Sequence, residues 1–79
     1  MREALGKEIA KFMWDYGDIY ELRDIYDSFE EFVTEIVASL YDRVKRNVMA
    51  LVLKESIEWS DDEDEAVKAA ELYRKVKAL

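Results

Sequence analysis

The sequence predicts an all-α fold, a compact bundle of three substantial helices and one short helix in a single domain, 1–79. Apolar residues recur at intervals of three and four, a pattern that strict alternation along a strand cannot produce. The longest apolar run, Val48 to Leu53, would suit a buried strand, but no second run exists to pair with it. Because proline is absent, the helix boundaries are predicted from capping residues.

The first helix is predicted over about residues 2–16. Its apolar side chains lie on one helical stripe, which consists of Leu5, Ile9, Phe12, Met13 and Tyr16. Gly17 follows where a helix commonly ends in a left-handed residue, so the helix is expected to stop there.

A short second helix is predicted over about residues 19–26. Asp18 would cap it, and Glu21 would reach back to the cap, as in a capping box. The apolar side chains that this helix would bury are Ile19, Leu22 and Ile25, with Tyr26 left open.

The third helix is predicted to be long and central, over about residues 29–58, with Ser28 and Glu31 forming its capping box. Its stripe consists of Phe29, Val33, Ile36, Leu40, Val44, Val48 and Leu51. At 1.5 Å per residue it would extend ~45 Å, which exceeds a compact domain of this size. We therefore expect a bend, a loose end or a partner chain along it.

The last helix is predicted over about residues 61–77, after a capping box that starts at Ser60. Its inward side chains are expected to be Ala66, Ala69, Ala70, Tyr73 and Val76. Trp59, at the turn before it, is expected to seal the corner between the third and fourth helices.

Composition argues against catalysis. The chain has no histidine and no cysteine, so the commonest general base and the thiolate nucleophile are both missing. Its serines form no triad, and the chain has no nucleophile-elbow or phosphate-binding-loop motif. We expect a non-enzymatic protein with no catalytic residue, no cofactor and no metal site.

The acidic run from Asp61 to Glu65 is the main alternative to that expectation, because carboxylates bind Ca²⁺ and Mg²⁺. The run lacks the glycine and the ligand spacing of a calcium-binding loop, and consecutive helical residues point in different directions. We interpret it as the acidic first turn of a helix, which the helix dipole stabilises.

The net charge of −7 lies in the first half of the chain, where residues 1–42 contain eleven acids and four basic residues. An acidic field beside aromatic residues is what a basic protein partner would recognise. The candidate partner-binding residues are Asp15, Tyr20, Asp24, Tyr26, Glu30 and Glu35, with Trp14 as a further aromatic candidate. The alternative is that these charges only solvate helix surfaces.

The apolar segment near residue 50 is expected to be either the centre of the bundle or an oligomer interface. Its candidate self-association residues are Val48, Met49, Leu51, Val52 and Leu53. The sequence leaves open whether the protein is a monomer or a homodimer.

One locally positive stretch, 43–54, contains Arg43, Lys45, Arg46 and Lys54. It supports an alternative from another class, a dimeric DNA- or RNA-binding regulator. The net negative charge disfavours that function and also disfavours binding to anionic membranes, since both targets attract clustered cations.

The preferred interpretation is a small adaptor or regulatory module that binds a basic protein partner. A second interaction hypothesis is an acidic nucleic-acid mimic or antitoxin-like inhibitor, whose carboxylates stand in for phosphates. No apolar run approaches the ~20 residues of a membrane span, and the N-terminus resembles no signal peptide, so a cytoplasmic location is expected. Few amides beside many Glu, Lys and Arg resemble the composition of thermophile proteins.

Overall fold

The computed structural model describes residues 2–16 and 21–79, and within them it contains five helices and no strand. The helices are α1 (Arg2–Asp15), α2 (Leu22–Ile25), α3 (Phe29–Ser39), α4 (Arg43–Trp59) and α5 (Glu63–Lys77). The prediction of an all-α fold is confirmed.

The chain divides into two compact units, an N-terminal unit that ends at Leu40 and a C-terminal unit that begins at Tyr41. In the N-terminal unit α1 packs against α3, and in the C-terminal unit α4 packs against α5. Each unit is smaller than a typical domain. The single domain over 1–79 stays a prediction.

The N-terminal unit buries apolar side chains from α1, α2 and α3. The buried residues are Leu5, Ile9, Ala10, Phe12, Leu22, Phe32, Ile36 and Leu40. Leu5, Ile9 and Phe12 belong to the stripe predicted for the first helix, which therefore faces the core as expected.

At Gly6, α1 approaches α3 so closely that there is no room for a side chain. A Cβ at this position would lie 2.6 Å from Val37 Cγ2 and 3.1 Å from Val37 Cα. Glycine inside a helix is less favourable than alanine by about 1 kcal/mol. The contact with Val37, and not helix formation, therefore accounts for the glycine.

The short helix differs from its prediction. It is described over Leu22–Ile25 only, and Glu21 precedes it with a left-handed backbone (φ 54°, ψ 28°) and no side-chain cap hydrogen bond. The predicted role of Glu21 as a capping-box partner inside a helix over 19–26 is therefore wrong. The predicted stop at Gly17, cap at Asp18 and burial of Ile19 lie outside the described residues.

The predicted helix over 29–58 is wrong in its continuity, because residues 40–42 separate α3 from α4. Asp42 has an extended backbone (φ −104°, ψ 121°) and acts as the N-cap of α4. Its Oδ1 accepts hydrogen bonds from the amides of Val44 at 2.9 Å and Lys45 at 3.1 Å. Aspartate is among the preferred N-cap residues, so a new helix starts here.

The C-terminal unit buries Met49, Ala50, Leu53, Ala69, Leu72 and Val76. Leu53 and Leu72 are fully buried and mark the centre of this helical pair. The predictions for Ala69 and Val76 are confirmed, whereas Ala66, Ala70 and Tyr73 are only half-buried.

The last helix starts two residues later than predicted, because Asp62 and not Ser60 is its N-cap. Asp62 Oδ1 accepts from the amides of Asp64 at 2.9 Å and Glu65 at 3.4 Å. Ser60 Oγ accepts from the Asp62 amide at 3.1 Å and lies 2.9 Å from Glu65 Oε2, to which it can donate. The predicted box starting at Ser60 is therefore wrong, and Ser60 instead supports the cap.

Replacing Gly6 with alanine is expected to lower the free energy of unfolding. The clash with Val37 outweighs the ~1 kcal/mol that alanine contributes as a helix former. Denaturant titration followed by circular dichroism measures the change. As a control, Val37→Ala should be less destabilising in the Gly6→Ala background than in the wild type; a Gly6→Ala protein more stable than wild type would contradict the contact.

Replacing Asp42 with alanine is expected to destabilise the protein by about 1 kcal/mol, because two amides of α4 lose their acceptor. The same denaturant titration measures it. Asp61→Ala is the matched control, since Asp61 is an exposed acid in the next interhelical segment and is not the cap. An equal loss in both variants would show that Asp42 does not stabilise the start of α4.

Candidate protein-binding surfaces

The N-terminal unit exposes six carboxylates between residues 21 and 35, which we call the acidic face. They are Glu21, Asp24, Asp27, Glu30, Glu31 and Glu35. The same segment contains one cation, Arg23. Negative charges that are concentrated in one part of a protein create a negative electrostatic potential, which attracts cationic groups.

The start of α3 positions two of these carboxylates. Ser28 caps the helix, and its Oγ accepts a hydrogen bond from the Glu31 amide at 3.2 Å, as the sequence predicts. Glu30 and Glu31 then lie in the first turn, where the helix dipole stabilises negative charge. Both acids therefore contribute to the helix as well as to the acidic face.

A cluster of aromatic rings lies beside the acidic face. Trp14 packs against Phe29 and Phe32 with ring centroids 5.8 and 5.9 Å apart, and Tyr26 packs against Phe32 at 5.0 Å. Phe32 is buried, and the other three rings are half-buried. Tilted and edge-on ring pairs of this kind stabilise the packing and hold α1 and α3 together at this end.

The one cation of the segment lies on this cluster. The guanidinium carbon of Arg23 is 5.8 Å from the centroid of the Trp14 ring, within the range of a cation–π interaction. Arg23 on α2 therefore contacts α1 through an aromatic ring.

Tyr26 and Glu35 are two predicted partner-binding residues that the structure brings together. Burial raises the pKa of the Tyr26 hydroxyl above its ordinary value of 10.0, and a hydrogen bond to the Glu35 carboxylate raises it further. The nearby negative charge of Glu31 acts in the same direction. Glu35 thus has a structural partner that the sequence did not indicate.

The other predicted contact residues are less closely grouped. Asp15 is exposed at the end of α1, and Asp24 and Glu30 are exposed on α2 and α3. Tyr20 lies outside the described residues. Their role in binding a partner stays a prediction.

Ile25 is a surface residue that the sequence analysis placed in the core. Its side chain is 68% exposed, so the predicted burial is wrong, whereas Leu22 on the same helix is buried as predicted. A helix of four residues can turn only one apolar side chain toward the core, and here that side chain is Leu22. Ile25 remains exposed, next to Asp24 in the chain.

A second candidate surface lies on α4. Val44, Val48 and Leu51 are 70%, 54% and 61% exposed, whereas Met49 and Leu53 are buried. The five predicted self-association residues therefore divide: Val48 and Leu51 are accessible, Val52 is half-buried, and the other two belong to the core. Val44 joins the accessible set because it lies one turn before Val48.

Trp59 also belongs to the surface. It ends α4 with 81% of its side chain exposed, so the predicted seal between the third and fourth helices is wrong. The position of Trp59 next to a turn suggested a buried corner but could not indicate that α5 would leave its side chain uncovered.

The acidic run 61–65 is confirmed as a helix start. Glu63, Asp64 and Glu65 form the first turn of α5 behind the Asp62 cap. Within residues 2–16 and 21–79, no three His, Cys, Asp or Glu side chains are placed to hold a metal ion. In the same part of the chain no helix is long and apolar enough to cross a membrane.

Comparison with known proteins adds no relative. The chain matches no family model, no curated protein and no solved structure. Function must therefore be inferred from the chemistry of the two surfaces.

Replacing Glu35 with glutamine is expected to lower the pKa of Tyr26 toward 10.0, because the charged hydrogen-bond acceptor is removed while burial remains. The fold favours protonated Tyr26, so this stabilisation is present at neutral pH and is lost as the pH rises through the raised pKa. The tyrosinate absorbance difference between the wild type and Tyr26→Phe isolates this group. A Tyr26 pKa that Glu35→Gln leaves unchanged would rule out the contact.

Proposed function

We propose that this chain is a non-enzymatic interaction module that binds a basic segment of a partner protein through its acidic face. The main support is the arrangement of six exposed carboxylates with a single cation between residues 21 and 35. A protein partner, unlike an inorganic cation, can match such a spread of charge with several Lys or Arg side chains.

The charges of the acidic face favour recognition and rapid association more than high affinity. Exposed ion pairs each contribute about 0–1 kcal/mol, and salt screens them. A basic partner should therefore bind with a strongly salt-dependent affinity.

Ile25, next to Asp24 in the chain, adds an exposed apolar side chain to the segment that contains the acidic face. Protein interfaces combine a desolvated apolar anchor with a polar rim. Exposed Ile25, with half-buried Tyr26 next to it in the chain, provides such an anchor among the carboxylates. The partner segment is accordingly expected to be basic and amphipathic, with an apolar side chain that covers Ile25.

Asp24 and Asp27 are the members of the acidic face best suited to a test. Glu30 and Glu31 stabilise the start of α3, and Glu35 raises the pKa of Tyr26. The described N-cap positions nearby are Glu21 and Ser28, so neither aspartate caps a helix. Replacing both with asparagine should remove two negative charges from the acidic face and leave the fold intact.

A nucleic-acid mimic would use the same acidic face and would be a special case of this function, in which the basic partner is a nucleic-acid-binding protein. A DNA- or RNA-binding regulator would instead use Arg43, Lys45, Arg46 and Lys54. That alternative predicts binding that is insensitive to Asp24 and Asp27.

The test uses a Leu/Lys amphipathic peptide as probe and a Leu/Glu peptide of equal length as its counterpart. In a Trp59→Phe background, Trp14 fluorescence reports binding next to the acidic face. Asp24→Asn with Asp27→Asn is expected to weaken binding of the basic peptide roughly tenfold, at ~0.7 kcal/mol per lost charge. The Leu/Glu peptide is expected not to bind.

Asp61→Asn with Glu63→Gln is the matched control, because it removes two exposed charges from the C-terminal unit and leaves the acidic face intact. It should bind the probe nearly as tightly as the unmodified background. Equal weakening by both pairs would mean that net charge alone attracts the peptide, and the proposed site would be wrong.

A further inference from the structure

We propose that the C-terminal unit binds a single-stranded nucleic acid at the end where α4 begins and α5 ends. We call this region the basic end, and its cations are Arg43, Lys45, Arg46, Arg74, Lys75 and Lys77. Exposed cations of the basic end contact phosphates, and Tyr41 stacks on a base. The site uses no residue of the acidic face, so its test and the test of the proposed function give independent results.

Helix packing brings these cations together. The helices α4 and α5 pack against each other and are joined by residues 60–62 only, so they run antiparallel. They have similar lengths, 17 and 15 residues, and the start of α4 therefore lies level with the end of α5. Segments 42–46 and 74–77, which are far apart in the sequence, meet at this end. Together they contain six cations and one acid, Asp42.

The cations lie on both sides of the line along which the two helices meet. At about 100° per residue, Arg43 and Lys45 lie on opposite sides of the buried face of α4. Lys75 and Lys77 likewise lie on opposite sides of buried Val76 on α5. A nucleic-acid backbone that crosses the end of the pair therefore meets cations from both helices.

Four of the six cations are assigned to phosphate contacts. Lys75 is exposed but forms an ion pair with Glu71 at 3.3 Å, and Arg46 is half-buried. The remaining cations are all exposed, and they are Arg43, Lys45, Arg74 and Lys77. The amides at the start of α4 do not form the site, because those of Val44 and Lys45 already donate to Asp42.

The acids of the C-terminal unit are concentrated at its other end. Glu55, Glu58 and the acidic run 61–65 lie at or near the connection between the two helices. A helix of 17 residues is about 25 Å long, whereas at about 0.1 M salt charges more than ~10 Å apart are largely screened. The basic end is therefore locally positive although the whole chain has a net charge of −7.

Tyr41 adds an aromatic ring to the basic end. It directly precedes Asp42, and 63% of its side chain is exposed. A ring beside cations suits single-stranded nucleic acid, because every base has a face that can stack on the ring while the phosphates contact the cations. The bases of a duplex are already stacked on one another, and an acidic peptide would need only the cations. Tyr41 therefore favours a single strand as the ligand.

The structure changes the set of cations that the sequence indicated for nucleic-acid binding. Lys54, which belonged to that set, lies about 16 Å from Arg43 along the axis of α4 and thus outside the basic end. The cations of the last turn of α5 take its place, because the antiparallel packing places them beside the start of α4.

Fluorescence anisotropy of a labelled oligothymidylate, titrated with the full chain at several salt concentrations, tests the proposal. The logarithm of the affinity should fall against the logarithm of the salt concentration with a slope of about −3, which corresponds to about four phosphate contacts. Lys45→Gln with Lys77→Gln should weaken binding roughly twentyfold near 0.1 M salt and reduce the slope to about −1.4. Lys7→Gln with Lys11→Gln is the matched control, because it removes two exposed lysines from the N-terminal unit. It should leave the affinity nearly unchanged.

Two variants of Tyr41 test the stacking contact. Tyr41→Ser should weaken binding of the oligothymidylate about tenfold, whereas Tyr41→Phe keeps the ring and should bind like the wild type. Neither variant should change the salt slope, because no phosphate contact is lost. Circular dichroism verifies that each variant keeps its helical content.

Absence of any binding at low salt would overturn the proposal, and equal weakening by the two lysine pairs would show that the basic end is not the site. A duplex that binds as tightly as the single strand would exclude base stacking. Competition by an oligoglutamate of equal charge, as strong as that by unlabelled oligothymidylate and joined by an unchanged affinity in Tyr41→Ser, would show that the basic end binds an acidic protein segment instead.

Discussion

The two hydrogen bonds that Asp42 Oδ1 accepts from the amides of Val44 and Lys45 start α4 as a separate helix, directly after the boundary between the two compact units. Before it, the predicted stripe contributes buried Ile36 and Leu40 to the core of the N-terminal unit. After it, the continuation of the stripe is exposed on α4. The predicted stripe is thus divided at Asp42. The part before Asp42 contributes to a core, and the part after it is exposed on α4.

The two units use their charges differently. In the N-terminal unit, acids are concentrated at the start of α3, where the dipole favours them, and Arg23 lies over the Trp14 ring. In the C-terminal unit, α5 follows the dipole and α4 opposes it. In the acidic face, the charges of Glu30 and Glu31 agree with the dipole of α3, so these two residues stabilise the helix whether or not a partner binds.

Local rules predicted much of this fold and less of its surfaces. Helical periodicity was sufficient for the all-α class and for the core positions Leu5, Ile9 and Phe12, and Ser28 was identifiable as a cap. The break after Leu40 was not, because no glycine or proline marks it and a capping residue such as Asp42 contributes only about 1 kcal/mol. Periodicity also shows that one side of a helix is apolar without showing what covers it. Ile25 was misplaced for that reason. Trp59 was misplaced because a position at a turn does not show whether a neighbouring helix covers the side chain, and the effect of Glu35 on Tyr26 depends on tertiary packing.

The close approach at Gly6 also restricts how this sequence can vary among relatives. The Val37 backbone and its Cγ2 occupy the space that any larger residue at position 6 would need. Position 6 should therefore remain glycine wherever position 37 is β-branched. Where position 6 acquires a side chain, a smaller residue at 37 or a wider separation of the helices should accompany it. Covariation of these two positions would mark the α1–α3 pair in a relative too distant to be identified by overall similarity.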